Sequence, residues 1–171
     1  MTSLLLRKKA KVRWSLPLVA LMAGCGSYSP QALTPGSSID ATTQAMGRPT
    51  AEYPLAPAGK RLEFARGPFG LHTYMVDFDA AGKLVSWNQV LNPETFDSIT
   101  KGLSRDDVLK TLGHPGKEFG VWSGRQTIWA YSFESMECTW FMVGLNPAGQ
   151  VSSTSYGPDP RCEAGAKADR D

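Results

Sequence analysis

Few residues in this chain are of types that could carry out covalent or acid–base chemistry, and they are scattered. The 171 residues include three cysteines and two histidines. A general base needs a proton-transfer partner within hydrogen-bond reach, and no sequence feature supplies one for His72 or His114. Gly36-Ser37-Ser38 lacks the strand, G-x-S-x-G turn and helix of an activated serine, so we interpret its serines as helix caps. The sequence predicts no catalytic centre.

Motifs for metals and cofactors are missing as well. The glycines form neither a phosphate-binding loop nor a dinucleotide motif. No calcium-binding D-x-D-x-D-G loop occurs, and turns or helix starts account for Asp77, Asp79, Asp106 and Asp107. We expect no metal and no cofactor.

Cys25 ends a segment that has the layout of a secretion signal. Residues 2–13 are basic and residues 14–22 are apolar, and Leu21-Met22-Ala23-Gly24 leads into the cysteine. The apolar run is shorter than the roughly 20 residues that a membrane span needs. The segment resembles the lipobox of bacterial lipoproteins, in which the cysteine thiol receives a diacylglycerol and the chain is cut before it. The alternative is an ordinary signal peptide, with Cys25 as a free thiol or a disulfide partner.

The resemblance to lipoproteins also implies a location. Gly26 stands where an inner-membrane retention signal usually has Asp, which by resemblance to enterobacterial sorting favours the outer membrane. Two or more acyl chains make such attachment effectively permanent. We therefore expect a lipid-anchored protein on the periplasmic side of the bacterial outer membrane, with the covalent lipid on Cys25 in place of any cofactor.

If Cys25 carries the lipid, two cysteines are left to pair with each other, Cys138 and Cys162. In an oxidising compartment, this predicts one disulfide. A metal site is the alternative, but both histidines are distant in sequence and no Cys/His ligand spacing occurs.

Charge is distributed unevenly along the chain. The formal net charge is +2, but five of the basic residues fall within the first 24 positions, where there is no acid. In the remaining chain, acidic residues outnumber basic ones. A nucleic-acid-binding domain normally carries a basic patch, so we expect no nucleic-acid partner.

Three blocks of sequence recur in the same order at a spacing of about 66 residues, which indicates a tandem repeat. Residues 36–49 match 102–115, residues 59–65 match 124–130, and residues 73–84 match 140–151. We infer two copies of one unit.

The second copy predicts a short helix followed by three strands. Ser104 and Asp107 form a capping box, Val108 and Leu112 lie on one helical face, and Gly113 ends the helix. Strands are predicted over 127–133, 139–145 and 150–156, and in the first copy a helix over 38–46 precedes strands over 61–65, 71–78 and 83–91. The fold class is α+β, with two tandem helix-strand-strand-strand repeats whose short helices pack on an antiparallel sheet. We expect the two copies to join into one larger sheet.

These elements divide the chain into six segments. They are a signal peptide over 1–24, a flexible tether over 25–36, the first repeat over 37–91, a connector over 92–101, the second repeat over 102–163 and a disordered tail over 164–171.

The segment Lys101-Gly102-Leu103-Ser104, with Leu112-Gly113-His114-Pro115 and Trp129-Ala130-Tyr131, resembles the SmpA/OmlA (BamE-like) outer-membrane lipoproteins. The match covers residues 99–156, and the first repeat matches mainly through the second. That family has a single unit, whereas the tandem layout is similar to that of the beta-lactamase inhibitory proteins. Both resemblances imply a binding or assembly module without a catalytic centre.

Aromatic residues in two predicted loops are candidates for contacting a partner. Tyr53 lies in the loop 50–58, and Phe119 and Trp122 lie in the loop 116–124. Aromatic residues serve as anchors at interfaces, but they also fill cores. We predict an envelope protein as the partner, with the barrel-assembly machinery as the leading candidate. The alternative is a periplasmic enzyme that this chain inhibits.

Overall fold

The computed structural model describes residues 30–65, 70–120 and 126–162. The predicted signal peptide over 1–24, the lipidation site Cys25, the tail over 164–171 and the candidate anchor Trp122 lie outside these residues. Within them, no helix is both long and apolar enough to cross a membrane.

The first repeat folds into helix α1 and a four-stranded antiparallel sheet of order β1-β2-β3-β4. A short 3-10 helix over Pro30–Ala32 precedes α1 (Ile39–Met46), β1 (Ala51–Leu55), β2 (Gly59–Ala65), β3 (Thr73–Phe78) and β4 (Leu84–Gln89).

The second repeat has the same plan, with a sheet of order β5-β6-β7-β8. Its elements are α2 (Pro93–Asp97), α3 (Arg105–Leu112), β5 (Lys117–Gly120), β6 (Thr127–Ser132), β7 (Thr139–Leu145) and β8 (Val151–Pro158).

The α+β class and the tandem repeat are confirmed, but each unit has four strands where the sequence predicts three. The additional strands are β1 and β5, which lie where loops are expected. The expectation of one joined sheet is wrong, since the strands form two separate four-stranded sheets.

Two segments predicted to be linkers carry structure that packs on the repeats. The predicted connector over 92–101 contains α2, whose Phe96 is buried and stacks on Phe141 with ring centroids 4.2 Å apart. The predicted tether over 25–36 contains the 3-10 helix, and Leu33 after it packs against buried residues of the first repeat.

Helix α3 begins and ends as its sequence predicts. The Ser104 hydroxyl accepts the Asp107 amide N–H at 3.1 Å, and the Asp107 carboxylate accepts the Ser104 amide N–H at 3.2 Å, which completes the capping box. Gly113 caps the other end with φ of 78°, in the left-handed region that favours glycine. These caps fix the position of Gly113 and His114 directly after the helix.

Helices α1 and α3 occupy different layers. Helix α1 packs on one face of the first sheet around Leu62, Phe64 and Val76. Helix α3 contributes Val108 and Leu112 to a core shared with the second sheet, which also includes Met75 of the first sheet. Since Met75 points to the face opposite Val76, α3 lies between the two sheets.

Cys138 and Cys162 form a disulfide, as predicted, with their Cα atoms 6.3 Å apart. The bond joins the turn before β7 to the segment after β8. Only the second repeat has such a cross-link among the described residues.

Two equivalent sheet faces as the candidate binding site

Strand pairing establishes which residues of the two sheets are equivalent. Arg61 pairs with Asp77 in the first sheet as Ile128 pairs with Gly144 in the second. Glu63 pairs with Met75 as Ala130 pairs with Met142. The sequence blocks align Glu63 with Ile128, which is two residues from this register. Because side chains alternate along a strand, a two-residue error leaves every residue on its predicted face.

We call one surface of the first sheet the inter-repeat face, which consists of Tyr53, Arg61, Glu63, Thr73, Met75 and Asp77. The equivalent surface of the second sheet is the open face, which consists of Phe119, Ile128, Ala130, Trp140, Met142 and Gly144, each in the same order as its counterpart.

The inter-repeat face surrounds a fully buried carboxylate. Glu63 accepts a hydrogen bond from the Tyr53 hydroxyl at 2.6 Å and from the backbone N–H of His114 at 3.0 Å. The His114 ring Nδ1 lies 2.9 Å from Glu63 Oε2, the same oxygen that accepts the Tyr53 hydroxyl. A buried carboxylate is tolerated only when such donors surround it. The partner that sequence could not supply for His114 is therefore an acid in the other repeat.

The electrostatics of this cluster extend to two tyrosines. Burial, with a further contribution from the hydrogen bond to Glu63, raises the pKa of Tyr53 far above its ordinary value. Burial also raises the pKa of Tyr131, and the Glu63 charge adds to that shift. Tyr131 donates to the Gly113 carbonyl at 3.0 Å. Both phenols stay protonated beside the carboxylate and act as hydrogen-bond donors.

A second polar group on the inter-repeat face holds the end of α3. Arg61 binds Asp77 through two hydrogen bonds of 2.7 and 2.8 Å and donates a third, of 2.9 Å, to the Lys110 carbonyl. The last carbonyls of a helix have no partner within the helix. Arg61 therefore joins the first sheet to the C-terminal turn of α3.

Backbone approach at this contact leaves no room for a side chain at Gly113. A Cβ atom added there would lie 2.8 Å from Glu63 Cδ and 3.0 Å from Thr73 Cγ2. At the equivalent Gly47 of the first repeat, a Cβ atom would meet nothing within 4 Å. The inter-repeat face is thus covered closely by the end of α3.

The open face has the same strand pairing but different chemistry. The Arg61–Asp77 pair is replaced by Ile128 and Gly144, and Glu63 is replaced by Ala130. Phe119, Ile128, Trp140 and Met142 are half-buried, and none belongs to either core cluster. The Phe119 and Trp140 rings are stacked, with centroids 6.1 Å apart. No described helix or strand covers this apolar face.

Trp140 carries an unmet hydrogen-bonding requirement. Its indole Nε1 is shielded from solvent and has no acceptor in the described part of the chain. An N–H group that is shielded without a partner costs about 1–3 kcal/mol.

The structure separates the three predicted anchors. Phe119 lies on the open face, Tyr53 is engaged by Glu63 within the molecule, and Trp122 is outside the described residues. The sequence analysis missed Ile128, Trp140 and Met142 as site residues, because strand periodicity alone cannot tell which face of a sheet is covered.

A cavity of about 550 Å³ lies beside the disulfide, and two of the charged side chains that line it, Asp159 and Arg161, are hydrogen-bonded to each other. Burial alone would raise the pKa of Asp159, but hydrogen bonds from Arg161 and Ser132 hold it below its ordinary value. Among the described residues, no group of three acids, histidines or cysteines is placed to hold a metal. The open face is the stronger candidate site.

No family model matches this chain, and no curated protein matches it. Among solved structures, a candidate beta-lactamase inhibitor protein from Streptococcus mutans is similar, with a TM-score of 0.30 and 14% identity over 75% of this chain and 87% of that chain. A cysteine-rich secretory protein from Staphylococcus aureus has a TM-score of 0.28 and 14% identity over 74% of this chain and 45% of that chain. Neither score is high enough to transfer a function.

Proposed function

We propose that this chain is a non-catalytic protein-binding module, anchored by lipid on Cys25 to the periplasmic side of the bacterial outer membrane, and that it binds its partner through the open face. The observation that carries the proposal is the difference between two equivalent faces. One is covered by α3 and the other, which has the same backbone register, presents Phe119, Ile128, Trp140 and Met142.

A protein fits this face better than a small molecule does. The half-buried aromatic and aliphatic side chains extend over three adjacent strands rather than around a concave pocket. Interfaces between proteins are enriched in Trp, Phe and Met at their centres, and such residues account for most of the binding energy. We assign Trp140 and Ile128 to the centre of the interface and Phe119 to its edge.

Two kinds of partner follow from this proposal. A component of the envelope assembly apparatus is what the resemblance to SmpA/OmlA lipoproteins implies. A periplasmic enzyme is what the resemblance to beta-lactamase inhibitory proteins implies. The presence of two tandem four-stranded units favours the second, because the SmpA/OmlA family has one unit.

Affinity purification of the full-length lipoprotein after mild cross-linking tests the proposal. We expect the wild-type chain and Val85→Asp to recover the same partner, because Val85 is 60% exposed on the other sheet. Ile128→Asp should lose that partner. Equal recovery by all three chains would show that binding uses another surface.

The identity of the recovered protein distinguishes assembly from inhibition. Cys25→Ser tests the anchor separately, since the wild-type chain should incorporate labelled palmitate and the variant should not. Equal labelling of the two chains would contradict lipid attachment at Cys25.

A further inference from the structure

We propose that the contact between the two repeats is a pH-responsive joint, which holds the repeats together more firmly as the pH falls through the range in which histidine gains its charge. The chain has two histidines, and each one faces a glutamate of the other repeat. We call these four residues, His72, Glu134, Glu63 and His114, the inter-repeat joint. All four belong to this chain, so the joint requires neither the proposed partner nor the lipid anchor.

The two histidine contacts are reciprocal. His114, directly after α3 in the second repeat, faces Glu63 of the first repeat, with Nδ1 2.9 Å from Oε2. His72, directly before β3 in the first repeat, faces Glu134 after β6 in the second, with Nε2 3.1 Å from Oε1. A movement that separated the repeats would therefore break both contacts.

The Glu63 carboxylate lacks a positive charge of its own. It is fully buried, and two of its donors, the Tyr53 hydroxyl and the backbone N–H of His114, are neutral. Arg61 lies on the same face but is bound to Asp77 through two hydrogen bonds. A buried charge is stabilised only by a well-placed opposite charge or by hydrogen bonds. A protonated His114 ring supplies the positive charge that the neutral donors do not.

Protonation changes the chemistry of both contacts. Histidine is the side chain whose charge ordinarily changes between about pH 5 and 8. A neutral His114 ring offers Glu63 a hydrogen bond, whereas the imidazolium form adds a Coulombic attraction that is stronger where water is excluded. The His114 side chain is 50% exposed, so solvent reaches the ring. The charged ring has this carboxylate beside it only in the folded chain, so the joint becomes more stable as the pH falls.

The other titratable groups that face the joint keep their charge state in this pH range. Burial raises the pKa of Tyr53 and of Tyr131, so both phenols stay protonated. Tyr74 stacks on the His72 ring, with the ring centroids 6.0 Å apart. Carboxylates ordinarily titrate at about pH 4 and phenols at about pH 10, on either side of histidine. The pH response of the joint therefore comes from its two imidazole rings.

The His72–Glu134 contact contributes the smaller share. The Glu134 side chain is 69% exposed, and an exposed ion pair is weak and is screened by salt. Its position gives it a separate role, because Glu134 lines the cavity beside the disulfide together with Leu71 of the first repeat and Cys138 of the second. This contact joins the first repeat to the disulfide-bonded end of the second.

Urea unfolding of the full-length chain at pH 8 and at pH 5.5 tests the inference. His114→Asn and His72→Gln are matched variants, because each keeps an N–H group near the position of the ring nitrogen that faces the glutamate but cannot become charged. We expect acidification to lower the unfolding equilibrium constant of the wild type, relative to that of the double variant, by about tenfold. Most of this change should be lost in His114→Asn. Glu134→Gln should remove only the share that belongs to His72.

Two results would overturn the inference. If the ratio of the two equilibrium constants is the same at both pH values, the histidines act only as neutral donors. If the wild type loses its advantage on acidification, protonation loosens the joint.

Amide hydrogen exchange in the wild-type chain keeps the test decisive if His114→Asn does not fold. The backbone N–H of His114 donates to Glu63 across the joint, so its exchange reports directly on the separation of the repeats. After correction for the intrinsic exchange rate, its protection should rise about tenfold between pH 8 and 5.5. Protection that stays constant or falls would contradict a pH-responsive joint, and the proposed binding face would be unaffected.

Discussion

The inter-repeat face and the open face are one backbone surface built twice, and they differ in whether the covering element belongs to the same chain. Where the cover is α3, the surface contains a buried carboxylate and a bidentate ion pair. Where the chain provides no described cover, the same positions hold Ala130, Ile128 and Gly144. The residues that differ between the faces therefore follow the cover that each face has within the described chain.

Covering by a helix of the same chain explains why a buried carboxylate is tolerated on the inter-repeat face. Because α3 is always present, Glu63 is never left without Tyr53 and His114, whereas an unpaired buried carboxylate is strongly destabilising. A face that must also exist unbound would bear that cost each time its partner left. Apolar side chains such as Ile128 and Met142 leave no charge unpaired in the free state.

The largest expected effect on stability is from removing the buried carboxylate of the inter-repeat face. Glu63→Ala removes three hydrogen bonds and opens a cavity between the repeats, so we expect it to lower the free energy of unfolding by about 4 kcal/mol. Ile128→Ala on the open face should lower it by about 1 kcal/mol. Urea denaturation of the two variants measures both. Equal losses would show that the two faces are not covered differently.

The two methionines give the cleanest matched pair, because they differ only in cover. Met75 is 1% exposed beneath the second repeat, while Met142 is half-buried on the open face. We expect Met75→Ala to cost about 3 kcal/mol and Met142→Ala about 1 kcal/mol. Thermal unfolding should rank them in this order. For affinity to the partner we expect the opposite order, with Met142→Ala the more harmful substitution, because only Met142 lies on the open face.

The two helix-capping glycines test how closely α3 approaches the first sheet. Both have positive φ, so alanine at either position costs about 1 kcal/mol in backbone strain. Gly113→Ala also forces Glu63 and Thr73 to move, and we expect it to cost about 2 kcal/mol in total. If Gly47→Ala proved as costly as Gly113→Ala in chemical denaturation, the close approach would not exist in solution.

The smallest effect at neutral pH belongs to one hydroxyl group. Tyr53→Phe gives the first sheet the aromatic residue that the second has at Phe119, and it should cost about 1 kcal/mol at pH 7. The pKa of Tyr53 is raised on folding, so its contribution is complete below pH 10, the ordinary tyrosine pKa, and is lost as pH rises further. The stability gap between wild type and Tyr53→Phe should narrow above pH 10. A gap that stays constant from pH 8 to 11 would contradict the raised pKa.

Local patterns in the sequence predicted most of the elements because their causes are local. The capping box at Ser104 and Asp107 depends on residues three apart. The alternation that puts Trp129 and Tyr131 on one face of a strand depends on residues two apart. The strands β1 and β5 were missed for a physical reason. Each is an edge strand with one pairing partner, and β1 contains Pro54, which a strand tolerates only at an edge.

The candidate site was harder to predict because its causes are distant in sequence. Glu63 reads as an exposed charge in its own strand, and its burial is explained by Tyr53 on the neighbouring strand together with His114 in the other repeat. Ile128 and Met142 likewise read as ordinary strand residues. Alternation showed that they share a face, but the absence of a described cover over that face depends on where α3 is placed.

The position of α3 between the sheets gives the layers a direction. They run α1, first sheet, α3 and second sheet, so the series begins with a helix and ends with a sheet. The two ends of this series are therefore different. Under the proposed function, the partner adds to the sheet end of this series.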